Sequence, residues 1–259
     1  MTNLPFFQVD AFATKPFEGT PAAVMPLASW LPDDVLQGIA AENNLSETAF
    51  TVPSASGEVD YDLRWFTPTV EVDLCGHATL ASAHILMNRD RIRFSTRSGV
   101  LAVTRRDGKL WLDLPAFPVS EGDEPGLIEA LGVSGPVFLS RGGNGAAIVL
   151  LADEATVRAV RPDFAALRPI DRLVIVTAPG DATDIASRVF AAYHGIDEDP
   201  VTGSAHAALV PFWAERLGRE RFTALQASKR SGHIECELRS DRVLLGGEAV
   251  TVIEGHFQL

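Results

Sequence analysis

The chain has 259 residues, of which 46% are hydrophobic and 22% charged, with a formal net charge of −12 at pH 7. That balance describes a globular chain able to bury a full core in one large or two small domains. The acidic excess repels nucleic acid and anionic membrane, so neither is expected as a partner and any bound anion must be held by local donors. The opening Met1-Thr2-Asn3-Leu4-Pro5-Phe6-Phe7 lacks a basic, then apolar, export signal, and no apolar run approaches membrane-spanning length, so a cytoplasmic protein is expected. Cys75 and Cys236 stand in unlike contexts and make neither a disulfide framework nor a four-thiolate zinc site.

Residues 7–12 alternate like a half-buried strand. The turn at Phe17-Glu18-Gly19-Thr20-Pro21 leads into apolar Ala22 to Met25, which predicts a hairpin. Pro32-Asp33-Asp34 opens a helix with Val35, Leu36, Ile39 and Ala40 on one face and Asn43-Asn44 as its stop. β-branched and aromatic residues predict strands at 48–52, 61–66 and 69–74, so Glu47 sits where helix gives way to sheet. From Ala78 to Met87 nearly every side chain is small or apolar, which suits a helix enclosed by a sheet. Strands at 92–96, 100–105 and 110–114 follow, with turns at Ser98-Gly99 and Asp107-Gly108, and the proline-rich 115–125 reads as a linker between halves.

The second half opens with a short helix at 127–131 and strands at 136–139 and 147–151. Gly142-Gly143-Asn144-Gly145 precedes a strand instead of joining strand to helix, so it reads as a hairpin turn and not as a nucleotide loop. A short helix at 163–167 and strands at 173–178 and 185–191 lead to a second enclosed helix, Ala205 to Leu217, in which Pro211 predicts a bend. The remainder, with strands near 222–227, 233–239, 243–246 and 249–254, is a meander. Many short strands around two buried helices give an α+β fold of two similar sheet-wrapped domains, 1–115 and 120–259, and leave open whether the last strand returns to the first domain.

Two stretches answer one another about half a chain length apart. Glu71-Val72-Asp73-Leu74-Cys75-Gly76-His77-Ala78-Thr79 and Asp197-Glu198-Asp199-Pro200-Val201-Thr202-Gly203-Ser204-Ala205 both run from extended chain through glycine and a short polar residue into a helix. The first amides of such a helix have no intrahelical partner and face an anion with the positive end of the helix dipole, while glycine admits the ligand close to the backbone.

With these residues in hand the chain resembles the PhzF-like isomerase family of phenazine-biosynthesis proteins, relatives of diaminopimelate epimerase and proline racemase. The resemblance spans essentially the whole chain. It rests on Phe17-Glu18-Gly19-Thr20-Pro21-Ala22-Ala23-Val24, Asn44-Leu45-Ser46-Glu47-Thr48-Ala49-Phe50, Trp65-Phe66-Thr67-Pro68, Leu74 to Thr79, Glu198 to His206 and Gln226-Ala227-Ser228. It implies two domains, each an antiparallel sheet rolled around a central helix, with the active site in the cleft between them and usually a homodimer. The family's catalytic glutamate falls on Glu47, and its other site residues on His77, Asp199, Gly76, Gly203 and Ser204. Thr20 stands where the family usually has Asn, and Ser231-Gly232 where it usually has Gly-Gly.

The chemistry the resemblance implies is cofactor-independent transfer of a proton, and with it a double bond, within a small carboxylated substrate. Such a reaction needs a carboxylate base and donors for the developing enolate-like charge. Glu47 is the expected shuttle, with His77 and Asp199 as polar partners; the plain structural roles for these two are a helix cap and a turn aspartate, and Ser204 reads as an ordinary N-cap. The related racemases use one cysteine from each half, but here the partner position of Cys75 is Thr202, whose hydroxyl is far too weakly acidic to replace a thiolate. Among the six histidines no pair has the i, i+4 spacing of a metalloprotease site, and the chain has neither a lysine-bearing phosphate loop nor a Gly-x-Ser-x-Gly elbow. Neither metal nor cofactor is therefore expected. The alternatives are a non-catalytic binder of a small molecule or partner on the same fold, and an epimerase or racemase acting through Cys75.

Overall fold

The computed structural model describes residues 2–140 and 145–259. In chain order the elements are β1 (Asn3–Ala11), β2 (Thr20–Pro26), α1 (Asp33–Asn43), β3 (Glu47–Pro53), β4 (Tyr61–Phe66), β5 (Glu71–Val72), α2 (Gly76–Leu86), β6 (Arg91–Thr96), β7 (Gly99–Arg106) and β8 (Lys109–Pro115). The second stretch holds β9 (Val119–Glu121), α3 (Leu127–Leu131), β10 (Val137–Ser140), β11 (Ala146–Leu150), α4 (Glu154–Ala159), α5 (Phe164–Leu167), β12 (Leu173–Pro179) and β13 (Ile185–Ala191). A 3₁₀ turn (Ala192–His194) leads on to β14 (Ile196–Asp199), α6 (Gly203–Leu217), β15 (Arg221–Gln226), β16 (Gly232–Arg239), β17 (Arg242–Gly247) and β18 (Ala249–Gln258). The chain divides into two compact units, Met1–Asp113 with Gly246–Leu259, and Leu114–Leu245. No helix among the described residues is long and apolar enough to cross a membrane.

In the first unit β1 pairs antiparallel with β2 and, along its whole length, with β18. Strand β2 then pairs parallel with β3 through the crossover helix α1, and β4 pairs parallel with β6 through α2. The second unit repeats this plan. Strands β11 and β12 are parallel and joined through α4 and α5, and β13 and β15 are parallel and joined through α6. Each sheet is therefore mixed and not purely antiparallel as expected, because a helical crossover returns the chain in the direction it came, whereas a tight turn reverses it.

Helix α1 forms as its sequence predicts: Asp33 and Asp34 complement the dipole in the first turn, and Asn44, at φ 49°, stops the helix in the left-handed region. It buries Leu36 and Ile39 with Met25, Phe50 and Phe66, a cluster in which Phe50 and Phe66 meet edge to face at 5.6 Å. Each such aliphatic side chain contributes about 1.5–3 kcal/mol on burial. Helix α2 packs against β1, β2, β3, β7 and β18, and all of Gly76 to Ala83 is buried. The polar members of that run are satisfied internally, Thr79 Oγ1 donating to Cys75 O at 2.5 Å and Ser82 Oγ to Ala78 O at 2.8 Å.

In the second unit Leu127, Leu131, Val157 and Leu167 from the short helices close over Val149, Val176 and Phe190. Helix α6 packs against β9, β11 and β16. It runs unbroken through Pro211, where a bend is expected from sequence. A proline there leaves the carbonyl four residues earlier without its helical donor, and the amide of Phe117 donates to that atom, Ala207 O, at 2.8 Å.

Other departures are local. The expected linker contains β9, which pairs with β10, and the expected 69–74 strand is only β5. Helix α4 and strand β14 are additional elements. The turn expected at residues 142–144 lies outside the described residues. The Asp107-Gly108 turn has φ 52° and 78°, as a two-residue β7–β8 hairpin requires.

Candidate active site

Sheet register brings three reactive side chains of the first unit together. Glu47 is the first residue of β3, Thr48 pairs with Phe66 at the end of β4, and Phe66 pairs with Glu71 of β5, which leads into α2. The start of β3 and the start of α2 thereby share one end of the sheet. There His77 Nε2 lies 2.9 Å from Glu47 Oε2, and Cys75 Sγ lies 3.7 Å from His77 Nδ1 and 3.8 Å from Nε2. Both His77 and Cys75 are buried, and the Glu47 side chain is 13% exposed. His77 is the nearest ion-pair partner of the buried Glu47 Oε2.

Burial alone would lower the pKa of His77, but the Cys75 sulfur and the Glu47 carboxylate both raise it, and it stands well above the usual histidine range. Burial, reinforced by the Glu47 charge, pushes the Cys75 thiol up to about 11. Cys75 is therefore an uncharged thiol near neutral pH, and we assign the rise at His77 to Glu47. His77 is the proton-carrying member of this contact near neutral pH.

Helix α2 starts at Gly76, with extended Cys75 (φ −141°) as N-cap, and α6 starts at Gly203, with extended Thr202 (φ −114°) as N-cap. His77 and Ser204 are thus the second residues of their helices and not caps, because each glycine already has helical backbone. The first turns of these helices, from Gly76 in one unit and from Gly203 in the other, present their amides at the positive ends of the helix dipoles.

In the second unit Asp199 ends β14, and its Oδ2 accepts a 2.6 Å bond from Thr202 Oγ1. Gln226, wholly buried at the end of β15, ties this turn together. Its Nε2 donates to Asp199 O at 2.7 Å, and its Oε1 accepts from Thr202 N at 2.9 Å. Ser228 Oγ closes the turn on Pro200 O at 2.8 Å. Below it, His206 Nδ1 lies 2.8 Å from Thr202 O; a carbonyl only accepts, so Nδ1 carries the proton and Nε2 is a bare acceptor. That Nε2 is buried with no partner among the described residues, and burial pushes His206 down to about 4, against the smaller opposing effect of the Thr202 bond.

One device recurs in both units. Arg64 of β4 forks onto Glu71 of β5 at 2.7 and 2.8 Å, and Arg188 of β13 forks onto Glu198 of β14 at 2.7 and 2.9 Å. In each case the glutamate lies on the short strand feeding the helix start, so the fork fixes the strand that aims those amides. Arg188 also donates to Val160 O at 2.8 Å. Sequence reasoning missed both arginines, although an arginine inside the apolar run Ile185 to Ala191 is itself a signal of a buried pair. Ser231, where the family resemblance expects glycine, has φ 52°, a left-handed conformation that costs a serine more than a glycine; its amide is held by Ser228 Oγ at 3.0 Å.

A family model described as "Phenazine biosynthesis-like protein" matches residues 9–255. An uncharacterized isomerase of Pseudomonas aeruginosa is 48% identical over 264 residues, covering 99% of this chain and 100% of that one. A crystal structure of a PhzF-family phenazine biosynthesis protein from Enterococcus faecalis superposes with a TM-score of 0.93 at 44% identity, covering 100% of both chains. A hydroxyproline epimerase from Agrobacterium vitis shares the fold alone, with a TM-score of 0.64 at 11% identity over 98% of this chain and 92% of that one.

Proposed function

The chain belongs to the phenazine biosynthesis-like (PhzC-PhzF) family, and from that premise we propose that it is a cofactor-independent isomerase moving a proton within a small carboxylated substrate, with Glu47 as the acid and base. The observation that carries this reading is the Glu47–His77 pair. It sets a largely buried carboxylate against a buried imidazole at 2.9 Å, so a general acid and base and a proton-carrying partner stand side by side at the start of a helix. On this reading the same carboxyl takes a proton from one carbon and returns it to another, while His77 fixes its position.

Charge developing on the substrate needs donors. The amides of Gly76 and His77 at the start of α2, at the positive end of the helix, supply them in the first unit. On the family motif we assign Gly203 and Ser204 to substrate binding and Asp199 to catalysis in the second unit. Thr202 Oγ1 spends its proton on Asp199, which supports the reading that no second acid or base of the racemase kind stands at that position.

The test separates the alternatives. Glu47→Gln, a near-isosteric change, abolishes turnover while ligand binding and thermal stability stay near wild type. Loss of turnover in Cys75→Ser with full activity in Glu47→Gln would assign the chemistry to the thiol. A chain that binds small carboxylates equally well in both variants, without turnover in any form, would be a binder.

A further inference from the structure

We propose that Glu47, Cys75 and His77 form a binding site for one Zn²⁺ ion, with Glu47 Oε2, Cys75 Sγ and His77 Nε2 as three ligands and a fourth position open to water. Among the described residues this is the one group of three or more His, Cys, Asp and Glu side chains whose ligand atoms converge, all within 4.8 Å of one another. The Sγ to Nε2 separation is 3.8 Å and the Nε2 to Oε2 separation is 2.9 Å. A tetrahedral zinc with sulfur at about 2.3 Å and nitrogen or oxygen at about 2.0 Å sets its ligands about 3.3–3.6 Å apart. Two of the three separations therefore need changes of less than about half an ångström, and the third, between Cys75 Sγ and the Glu47 carboxylate and bounded at 4.8 Å, closes by a side-chain rotation of up to about 1.3 Å.

The donor set selects the ion. Thiolate, imidazole and carboxylate together suit a borderline-soft metal, whereas Mg²⁺ and Ca²⁺ require oxygen alone. Charge selects it too: the thiolate and carboxylate neutralise a divalent ion, so the buried complex carries no net charge. Binding expels the Cys75 thiol proton and the proton of the His77–Glu47 pair to solvent. The ligands stand on fixed elements, the start of β3 and the first turn of α2, and both cysteines of the chain are free thiols. Three protein ligands with one open position is the pattern of an exchangeable, not a purely structural, zinc site. The ion would occupy the carboxylate oxygen that acts as base, making Zn²⁺ a reversible inhibitor. That consequence rests on the isomerase reading, whereas binding itself does not.

The experiment titrates the full-length chain with Co²⁺ as a coloured probe, followed by Zn²⁺. One equivalent of cobalt is expected to give thiolate-to-cobalt charge-transfer absorption that zinc displaces. The band is lost in Cys75→Ser and kept in Cys236→Ser, and His77→Gln weakens zinc binding at least tenfold. X-ray absorption of the zinc-loaded wild type, which needs no variant to fold, is expected to show one sulfur per ion. A spectrum without charge transfer at saturating cobalt, a band that survives Cys75→Ser, or a zinc shell without sulfur would overturn the assignment, whatever the catalytic assays show.

Discussion

Because His206 is wholly buried in its neutral form, the stability of the second unit depends on pH in a narrow window. The folded pKa is about 4, against about 6.5 for a free histidine. Above pH 6.5 neither state is protonated and His206 adds nothing. As pH falls below 6.5 the unfolded chain takes up a proton that the folded chain refuses, so stability declines until about pH 4. The full loss is about 3 kcal/mol, and between pH 7 and pH 5 it is about 2 kcal/mol. Other groups separate cleanly by sign. His77, raised in the folded state, contributes stability that is complete well below pH 6.5 and declines as pH rises, so from pH 7 to pH 5 it changes slightly in the opposite sense to His206 and equally in wild type and variant. The carboxylates lowered by their partners, such as Glu154 and Asp184, lose their contribution at more acid pH. His84 is lowered by burial and acts in the same direction as His206, which calls for a reference variant. His206→Asn keeps a side-chain donor for Thr202 O but cannot titrate. Urea unfolding at pH 7 and pH 5 is expected to lower the wild-type midpoint by roughly 1 M more than that of the variant, for a slope of about 2–3 kcal/mol per M. Midpoints that fall in parallel would refute the argument.

The arginine forks predict a stability hierarchy. Arg188→Met strands a partly buried Glu198 and frees a buried carbonyl, so it costs about 3 kcal/mol and lowers Tm by roughly 6–10 °C. Arg97→Met, whose side chain is 54% exposed, costs less than about 1 kcal/mol; equal shifts by calorimetry would contradict the hierarchy. Gly19 has φ 63°, and a Cβ there would lie 2.0 Å from Ala11 O, whereas Gly57, at φ 70°, faces open space. Gly57→Ala is expected to cost about 1–2 kcal/mol from backbone conformation alone. Gly19→Ala adds a clash with fixed backbone, and comparable urea midpoints for the two variants would show that the turn relaxes.

The parts of the fold legible in the sequence were those set by local chemistry. The acidic first turn and Asn44 stop of α1, the Asp107-Gly108 hairpin and the largely small or apolar α2 and α6 each follow from neighbours along the chain. Helix α4 also had a readable signal, since Asp153 Oδ1 accepts from Thr156 N at 2.7 Å in an Asp-x-x-Thr cap. Strand β14 had none: Ile196-Asp197-Glu198-Asp199 lacks strand character, and it is held by pairing to β13 and by Arg188. The parallel pairings were equally hidden, because they depend on which strands a crossover helix returns between. At the candidate site, the motifs point to Glu47, His77 and Gly76, which the fold brings to one end of the first unit's sheet. They could not show that Cys75 and His77 meet Glu47 across a helix-strand junction. The cap roles were misplaced by two residues, since glycine can open a helix as readily as precede one.

The central claim is that Glu47 moves a proton to and from carbon. The most direct measurement is proton NMR in deuterated water with a panel of small carboxylated dienes and amino acids, comparing wild type with Glu47→Gln. The account predicts that deuterium enters a single carbon position of a responsive substrate with wild type and not with the variant, at equal binding. Exchange that persists in Glu47→Gln, or its absence from wild type across substrates that bind, would contradict it.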